Sequence, residues 1–213
     1  MQKIISGLLL LVSIFLLPSN SMAQFSFELG GGIAGPTGDS ADYWKWDKSF
    51  GLSGGAYREL TPFTSLGLNC GYTRLAFDGE AYSRFLVKPT VTIDGGNYSI
   101  MTVCAEVRFH VGAMDMAHFF GGVGGGLYKM GLSDITYSDA TGTQKFDSEN
   151  KFGAYIHAGT AFSVTPLVKL GLKGRYNFFS GFQPTYDNGV VATDFKELSS
   201  FWELSAFVLI GVL

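Results

Sequence analysis

The residues of this sequence that could do chemistry are few, and most of them are charged. Glu28, Glu106, Arg108, Lys173, Arg175 and Glu203 each interrupt a stretch of otherwise apolar and small residues. A charge buried among apolar neighbours costs several kcal/mol unless an opposite charge meets it. The three acids and three bases balance, so the six are expected to pair in one network. The histidines His110, His118 and His157 could act as bases. A nucleophile would have to lie within hydrogen-bond reach of one, and no His-x-Ser pair is present. Cys70 and Cys104 have no Cys/His spacing of a zinc site. Gly30-Gly31-Gly32-Ile33-Ala34-Gly35 spells G-x-G-x-x-G, but Pro36-Thr37-Gly38-Asp39 follows where a dinucleotide site needs a helix. Neither a cofactor nor a metal is expected.

The elements that position these residues are strands. Alternation with a period of two recurs over Phe25–Ala34, Ser49–Arg58, Thr64–Phe77, Tyr98–Val111, His118–Met130, Lys151–Ser163, Val168–Phe179 and Ser200–Leu213. Long polar segments, Pro36–Lys48, Asp78–Asn97, Gly131–Asn150 and Ser180–Ser199, follow the odd-numbered strands. Short turns around Leu60-Thr61-Pro62, Gly112–Met116 and Thr165-Pro166 follow the even ones. That asymmetry, with an even number of strands, is the pattern of a membrane-spanning barrel, whose closure leaves no edge unpaired in lipid.

Composition agrees. The chain is 46% hydrophobic and only 15% charged, with 19 Phe and 29 Gly, where a soluble domain carries about 25% charged residues. Nothing after Gln24 resembles a spanning helix. The net charge of −3 and the lack of a basic cluster argue against nucleic acid as a partner. The expected fold is all-β, a single closed antiparallel transmembrane barrel of eight strands. The alternative is ten, because Phe85–Ile93 also alternates. A secreted β-sandwich or lipocalin-like barrel is the soluble alternative, but the glycines at 122, 124, 126, 153 and 159 suit a tight interior better.

Lys3, the apolar run Ile4–Leu17 and Ser21-Met22-Ala23 form the pattern of a cleaved secretory signal peptide. Residues 1–23 are expected to be removed, leaving the barrel domain at 24–213. Phe27, Phe63, Phe109, Phe119 and Phe162 are expected near one membrane interface. Phe77, Tyr128, Phe178, Phe179, Phe201 and Trp202 are expected near the other.

Parity assigns the charges to the face opposite the bulky residues. In a closed barrel the last strand pairs with the first and the seventh, which puts Glu28, Lys173, Arg175 and Glu203 on adjacent strands. Glu106 and Arg108 would face them across the lumen, making one network that plugs it. Cys70 and Cys104 fall on opposite faces, which predicts two free thiols. Tyr43, Trp44 and Trp46, with Tyr82, Phe85 and Tyr137, stand among polar loop residues. Such aromatics mark a binding surface or pack loop on loop.

Two segments carry a family resemblance. Glu59-Leu60-Thr61-Pro62-Phe63-Thr64-Ser65-Leu66-Gly67-Leu68 and Ala161-Phe162-Ser163-Val164-Thr165-Pro166-Leu167-Val168-Lys169-Leu170-Gly171-Leu172 both read as strand, Thr-Pro turn, strand. They resemble hairpins of the small OmpA/OmpX-like outer-membrane β-barrel domain family, as does the glycine-alternating stretch His118–Tyr128. The sequence departs from many members in reaching Leu213 rather than Phe or Trp at the end of its last strand, and the resemblance is expected to be to the barrel alone, without a peptidoglycan-binding domain. The resemblance implies a bacterial outer membrane with both termini periplasmic. It also implies contact with outer-membrane lipid and lipopolysaccharide, and handling by the barrel-assembly machinery. The expected function is a structural or surface-interaction role carried by four extracellular loops, with no surface partner identified. The alternatives are a narrow pore or carrier for small molecules and a barrel-embedded lipid-modifying enzyme. Lipid A acyltransferases and deacylases resemble this architecture and carry His with Ser, Asp or Glu at the outer rim.

Overall fold

The structure, a computed structural model, describes residues 25–37, 44–81, 92–114, 117–138, 143–182, 185 and 197–212. Its strands are β1 (Phe25–Pro36), β2 (Trp44–Thr61), β3 (Thr64–Phe77), β4 (Ile93–Gly95), β5 (Tyr98–Met114) and β6 (Ala117–Leu132). They continue with β7 (Ile135–Tyr137), β8 (Thr143–Gln144), β9 (Glu149–Ser163), β10 (Val168–Phe182) and β11 (Leu198–Val212). Eight of them close a barrel in the order β1-β11-β10-β9-β6-β5-β3-β2, in which β1 bonds both β2 and β11. Every barrel pairing is antiparallel. The expected closed eight-stranded barrel is the fold found.

Sequence drives the two faces apart. Successive strand residues point to opposite sides, so Val103, Val107, Leu170 and Leu172 lie outside while Cys104, Glu106, Lys173 and Gly171 lie inside. The outer face carries large exposed apolar side chains, such as Leu29 at 69% and Phe119 at 53% exposure. An exposed apolar belt of this extent would be untenable in water and matches a lipid contact surface. The lumen takes the polar residues and the glycines.

Both Thr-Pro motifs make tight turns at one end of the barrel. Thr61 Oγ1 accepts from the Phe63 amide at 3.2 Å, and Thr165 Oγ1 accepts from the amides of Leu167 and Val168 at 3.3 and 3.0 Å. These hydroxyls bond backbone two or three residues on, which is why threonine precedes the turn.

The opposite end departs from the expected loops. β2 begins at Trp44, inside the segment expected to be irregular, and its first residues pair in backbone register with β3 as Trp44↔Phe77 and Lys45↔Ala76. β4, β7 and β8 form a separate three-stranded sheet. Its entry turn uses Gly95 and Gly96 at φ of +93° and +72°, a region that favours glycine. The sheet is tied to the barrel ends through Ser133 N to Asn97 O at 2.9 Å. Ile93, the last residue of the alternating Phe85–Ile93 run, joins this sheet, so the ten-strand alternative is set aside; residues 85–91 lie outside the described residues.

One expected aromatic belt is corrected. Phe27, Phe63, Phe109, Phe119 and Phe162 are all exposed on the outside toward the short-turn end. At the long-loop end, Phe178 and Trp202 lie outside, but Tyr128, Phe179 and Phe201 point inward and are buried. Phe77 packs against the same interior cluster. The outer girdle there is instead Phe50, Tyr72, Phe152, Tyr176, Phe178 and Trp202. Position along a strand locates an aromatic in depth, but parity decides whether it meets lipid or lumen.

Candidate functional site

The lumen is built in layers. At the short-turn rim His110 Nε2 lies 3.0 Å from Ser65 Oγ, and His118 Nε2 lies 3.2 Å from Ser163 Oγ. Above them Phe120, Ala161 and Phe207 form a small apolar cluster, with the Phe120 and Phe207 rings edge-to-face at 5.6 Å.

The charges occupy the next layers. Arg108 on β5 donates through Nη1 to Glu28 Oε2 on β1 at 2.8 Å, across the barrel. Its Nε donates to Glu106 Oε1 at 3.0 Å. Lys173 on β10 donates to the other oxygen of Glu28. Glu106 also accepts from Tyr155 OH at 2.5 Å and Tyr57 OH at 3.3 Å, and its Oε1 is 3.1 Å from His157 Nε2. Tyr57 OH accepts from Asn69 Nδ2 at 3.3 Å, and Asn69 Oδ1 accepts from Arg175 Nη2 at 2.9 Å. Arg175 Nη1 stands 3.6 Å from Glu203 Oε2. Glu203 is further held by Thr73 Oγ1 at 2.6 Å and Asn177 Nδ2 at 3.2 Å. Asn177 Oδ1 accepts from Tyr128 OH at 3.1 Å.

All six charged residues therefore stand in one chain of contacts reaching across the lumen. Aromatic rings sandwich the cations. Arg108 lies 4.0 Å from the Tyr57 ring centroid and 4.6 Å from that of Phe120, and Arg175 lies 4.2 Å from that of Tyr155. Desolvated cation–π contacts of this kind are worth about 2 kcal/mol. Beside Gly51, Lys173, Arg175 and Glu203 a void of about 10 Å³ remains, room for about one water.

Over the charges sits a larger apolar cluster that includes Tyr98, Ile100, Met130, Phe179, Phe182 and Phe201. Ile135 of β7 is buried in it, and Ile93, Tyr137 and Phe146 pack against it. The small sheet thus contributes to the cover of this mouth.

Reading the sequence for charge missed the neutral linkers Tyr57, Asn69, Thr73, Tyr155 and Asn177. Only Asn177 shares a strand and a parity with lumen charges, Lys173 and Arg175 on β10; Tyr57, Asn69, Thr73 and Tyr155 stand on strands that carry none of the six. The same reading also missed the Ser–His pairs, which no local spacing reveals because Ser65–His110 and Ser163–His118 meet across strands. Cys70 faces out and Cys104 is buried; both are free, with Asn69 rather than Cys70 opposite Cys104. Tyr43 lies outside the described residues, and Trp44 and Trp46 fall in the first residues of β2.

A closed eight-stranded barrel with an apolar outside and a charged inside defines a small transmembrane β-barrel of the outer-membrane type. Solved structures with this fold include Neisserial surface protein A, at TM-score 0.54 and 16% identity, covering 87% of this chain and 96% of that one. Ail, the attachment invasion locus protein of Yersinia pestis, matches at TM-score 0.50 and 17% identity, covering 89% and 100%. A major outer membrane protein from Thermus thermophilus matches at TM-score 0.57 and 14% identity, covering 90% and 100%. At these identities the likeness is one of fold. No family model and no curated protein matches the chain.

Proposed function

We propose that this protein is a bacterial outer-membrane barrel with a closed lumen, both termini in the periplasm, and a surface-interaction role carried by its four extracellular loops. The observation that carries the reading is the lumen itself. Among the described residues, charges bonded from wall to wall lie under an apolar cluster, an arrangement that supports a lumen closed to ions. Eight strands enclose only enough space for side chains to fill. The work of such a barrel falls to what it holds outside, where the long segments emerge. The names of two similar structures speak of attachment and of the surface, which supports the same reading here. Lipid, lipopolysaccharide and the barrel-assembly machinery are the partners this location entails.

Two measurements test it. Surface-exposed tags in the long segments should be reached by antibody on intact cells, and tags at the short turns should not. Tags reached only after permeabilisation would sink the orientation. A hydrolase is the second reading, favoured by the Ser65–His110 and Ser163–His118 pairs. Those pairs stand at the short-turn rim, periplasmic in this reading, so fatty acid released from inner-leaflet phospholipid on expression, and lost when Ser65 and Ser163 are both changed to Ala, would support it.

A further inference from the structure

A groove of about 350 Å³ lies at the long-loop end, where β3, β5 and β6 finish against the segment before β9. That is the small end of the range for ligand pockets. Its back wall is apolar: Tyr98 and Leu132 belong to the interior cluster and Phe146 packs against it. Its polar side is Arg74, Asn97, Ser99, Ser133 and Ser148. Arg74, Ser133 and Ser148 are exposed, so the groove is open along that edge. Asn97 precedes β5, Ser133 follows β6 and Ser148 precedes β9, which puts this side at the strand ends, beyond the girdle residue Tyr72.

The hydrogen bonds already made show what remains to be met. Asn97 Oδ1 accepts from the Phe77 amide at 3.1 Å, which fixes the carboxamide and leaves its NH2 to donate. Ser133 Oγ accepts from the Asn97 amide at 2.9 Å and keeps its own proton to give. Ser99 Oγ donates to the Gly131 carbonyl at 3.3 Å. Among the described residues Arg74 and Ser148 have no polar partner, and no carboxylate lines the groove. One guanidinium, one carboxamide and two hydroxyls therefore offer donors to one space that holds a single positive charge.

A ligand that satisfies them carries one anionic group, several further oxygen acceptors and enough apolar surface to lie on the back wall. A carboxylated sugar ring has all three. Its carboxylate matches the planar fork of an arginine, its hydroxyls take the neutral donors, and its C–H face meets the apolar side. We infer that the groove binds a carboxylated sugar of a glycan outside the cell, with Arg74 holding the carboxylate and Asn97, Ser133 and Ser148 donating to the ring oxygens. A short acidic peptide offers the same charge with fewer oxygen acceptors in a volume of this size. The inference rests on the surface-interaction reading above and gives that reading its ligand class.

The test uses the full mature protein folded in phosphatidylcholine nanodiscs, with sugars titrated by saturation-transfer NMR. Glucuronic acid should bind. Glucose, with a hydroxymethyl group in place of the carboxylate, should bind about ten-fold more weakly or worse, the loss expected when a charged hydrogen bond is removed. Arg74→Gln should cost glucuronic acid the same factor and leave glucose unchanged. Ser148→Ala should weaken both sugars by about two- to ten-fold. Lys129→Gln removes an exposed cation that does not line the groove and should change neither. Equal binding of the two sugars, or full affinity in Arg74→Gln, overturns the inference. So does N-acetylglutamate binding as tightly as glucuronic acid, which would make the site one for acidic peptides. Loss of glucuronic acid on adding lipopolysaccharide to the nanodisc overturns the external source. Heat-modifiable gel mobility is read on every variant. A folded wild type that binds no sugar refutes the site alone, whereas failure of the antibody labelling above refutes the outward orientation.

Discussion

At the residue scale the lumen charges are unequal partners. Arg108 serves both Glu28 and Glu106, and all three are almost wholly buried. Glu203 has Thr73 and Asn177 besides Arg175, sits at 3.6 Å from the guanidinium and keeps some exposure. Removing Arg108 therefore takes a cation from two deeply buried carboxylates at once, leaving Glu28 with Lys173 and Glu106 with Tyr155, Tyr57 and His157, whereas removing Arg175 affects only the less buried Glu203, which keeps its neutral donors. Arg108→Met should destabilise the barrel by about 3–5 kcal/mol. In double-mutant cycles, Glu28–Arg108 should show coupling of roughly 2 kcal/mol and Arg175–Glu203 under about 1 kcal/mol. Urea unfolding in vesicles measures both, and equal couplings would contradict the ranking. The cysteines give a simpler expectation. Cys70 points to lipid and Cys104 into the lumen, so intact mass under non-reducing conditions should equal that of two free thiols, and a disulfide would refute the register of β3 on β5.

The strands are held at the next scale by glycine. Lumen glycines accept aromatic rings from adjacent strands. A Cβ built on Gly67 would stand 2.3 Å from the Tyr57 ring, and one on Gly124 at 2.3 Å from that of Tyr155. At Gly126 the obstacle is backbone, the Val103 carbonyl oxygen at 2.1 Å. On the outer face Gly174 has nothing within 4 Å. Three substitutions separate these cases. Gly126→Ala should shift the urea midpoint downward most, because backbone cannot yield. Gly124→Ala should cost about 1–3 kcal/mol through displacement of Tyr155. Gly174→Ala should be neutral or stabilise by roughly 0.5 kcal/mol, since glycine in a strand interior loses more chain entropy. A destabilised Gly174→Ala would show that something packs against that surface in the membrane.

For the whole molecule the property to test is the proposed closure of the lumen. The apolar cover at the long-loop mouth and the bonded charges beneath it argue against a steady aqueous path. Planar bilayers containing the folded protein should show no stepwise conductance at about 100 mV, a potential that contributes only about 2.3 kcal/mol per charge. Regular conductance steps from heat-modifiable, folded protein would overturn the closed lumen. The protein should also migrate faster on unheated gels than after boiling, because a barrel whose first and last strands are bonded along Phe25↔Val212 to Pro36↔Phe201 has no edge from which to unravel.

The sequence by itself determined the strands, their parity and the closure of the sheet. A two-residue period is a local property, so Phe25, Thr64, Val168 and their runs declare which side chains share a face. Eight such runs joined by alternating short and long segments leave little besides an up-and-down barrel. The lumen charges were legible for the same reason, as odd polar residues on an otherwise small-residue face. Depth and lateral neighbours were not legible, because they depend on register between strands far apart in the chain. That register alone brings Arg108 to Glu28, Asn69 between Tyr57 and Arg175, and Ser65 to His110. The inward direction of Tyr128, Phe179 and Phe201 follows from parity alone and was legible in the sequence; only their packing into one interior cover needed the fold. The small sheet of β4, β7 and β8 was invisible for a related reason. Strands of two or three residues carry too short a pattern to read, and only the packing of Ile93, Ile135 and Tyr137 against the barrel mouth makes them strands at all.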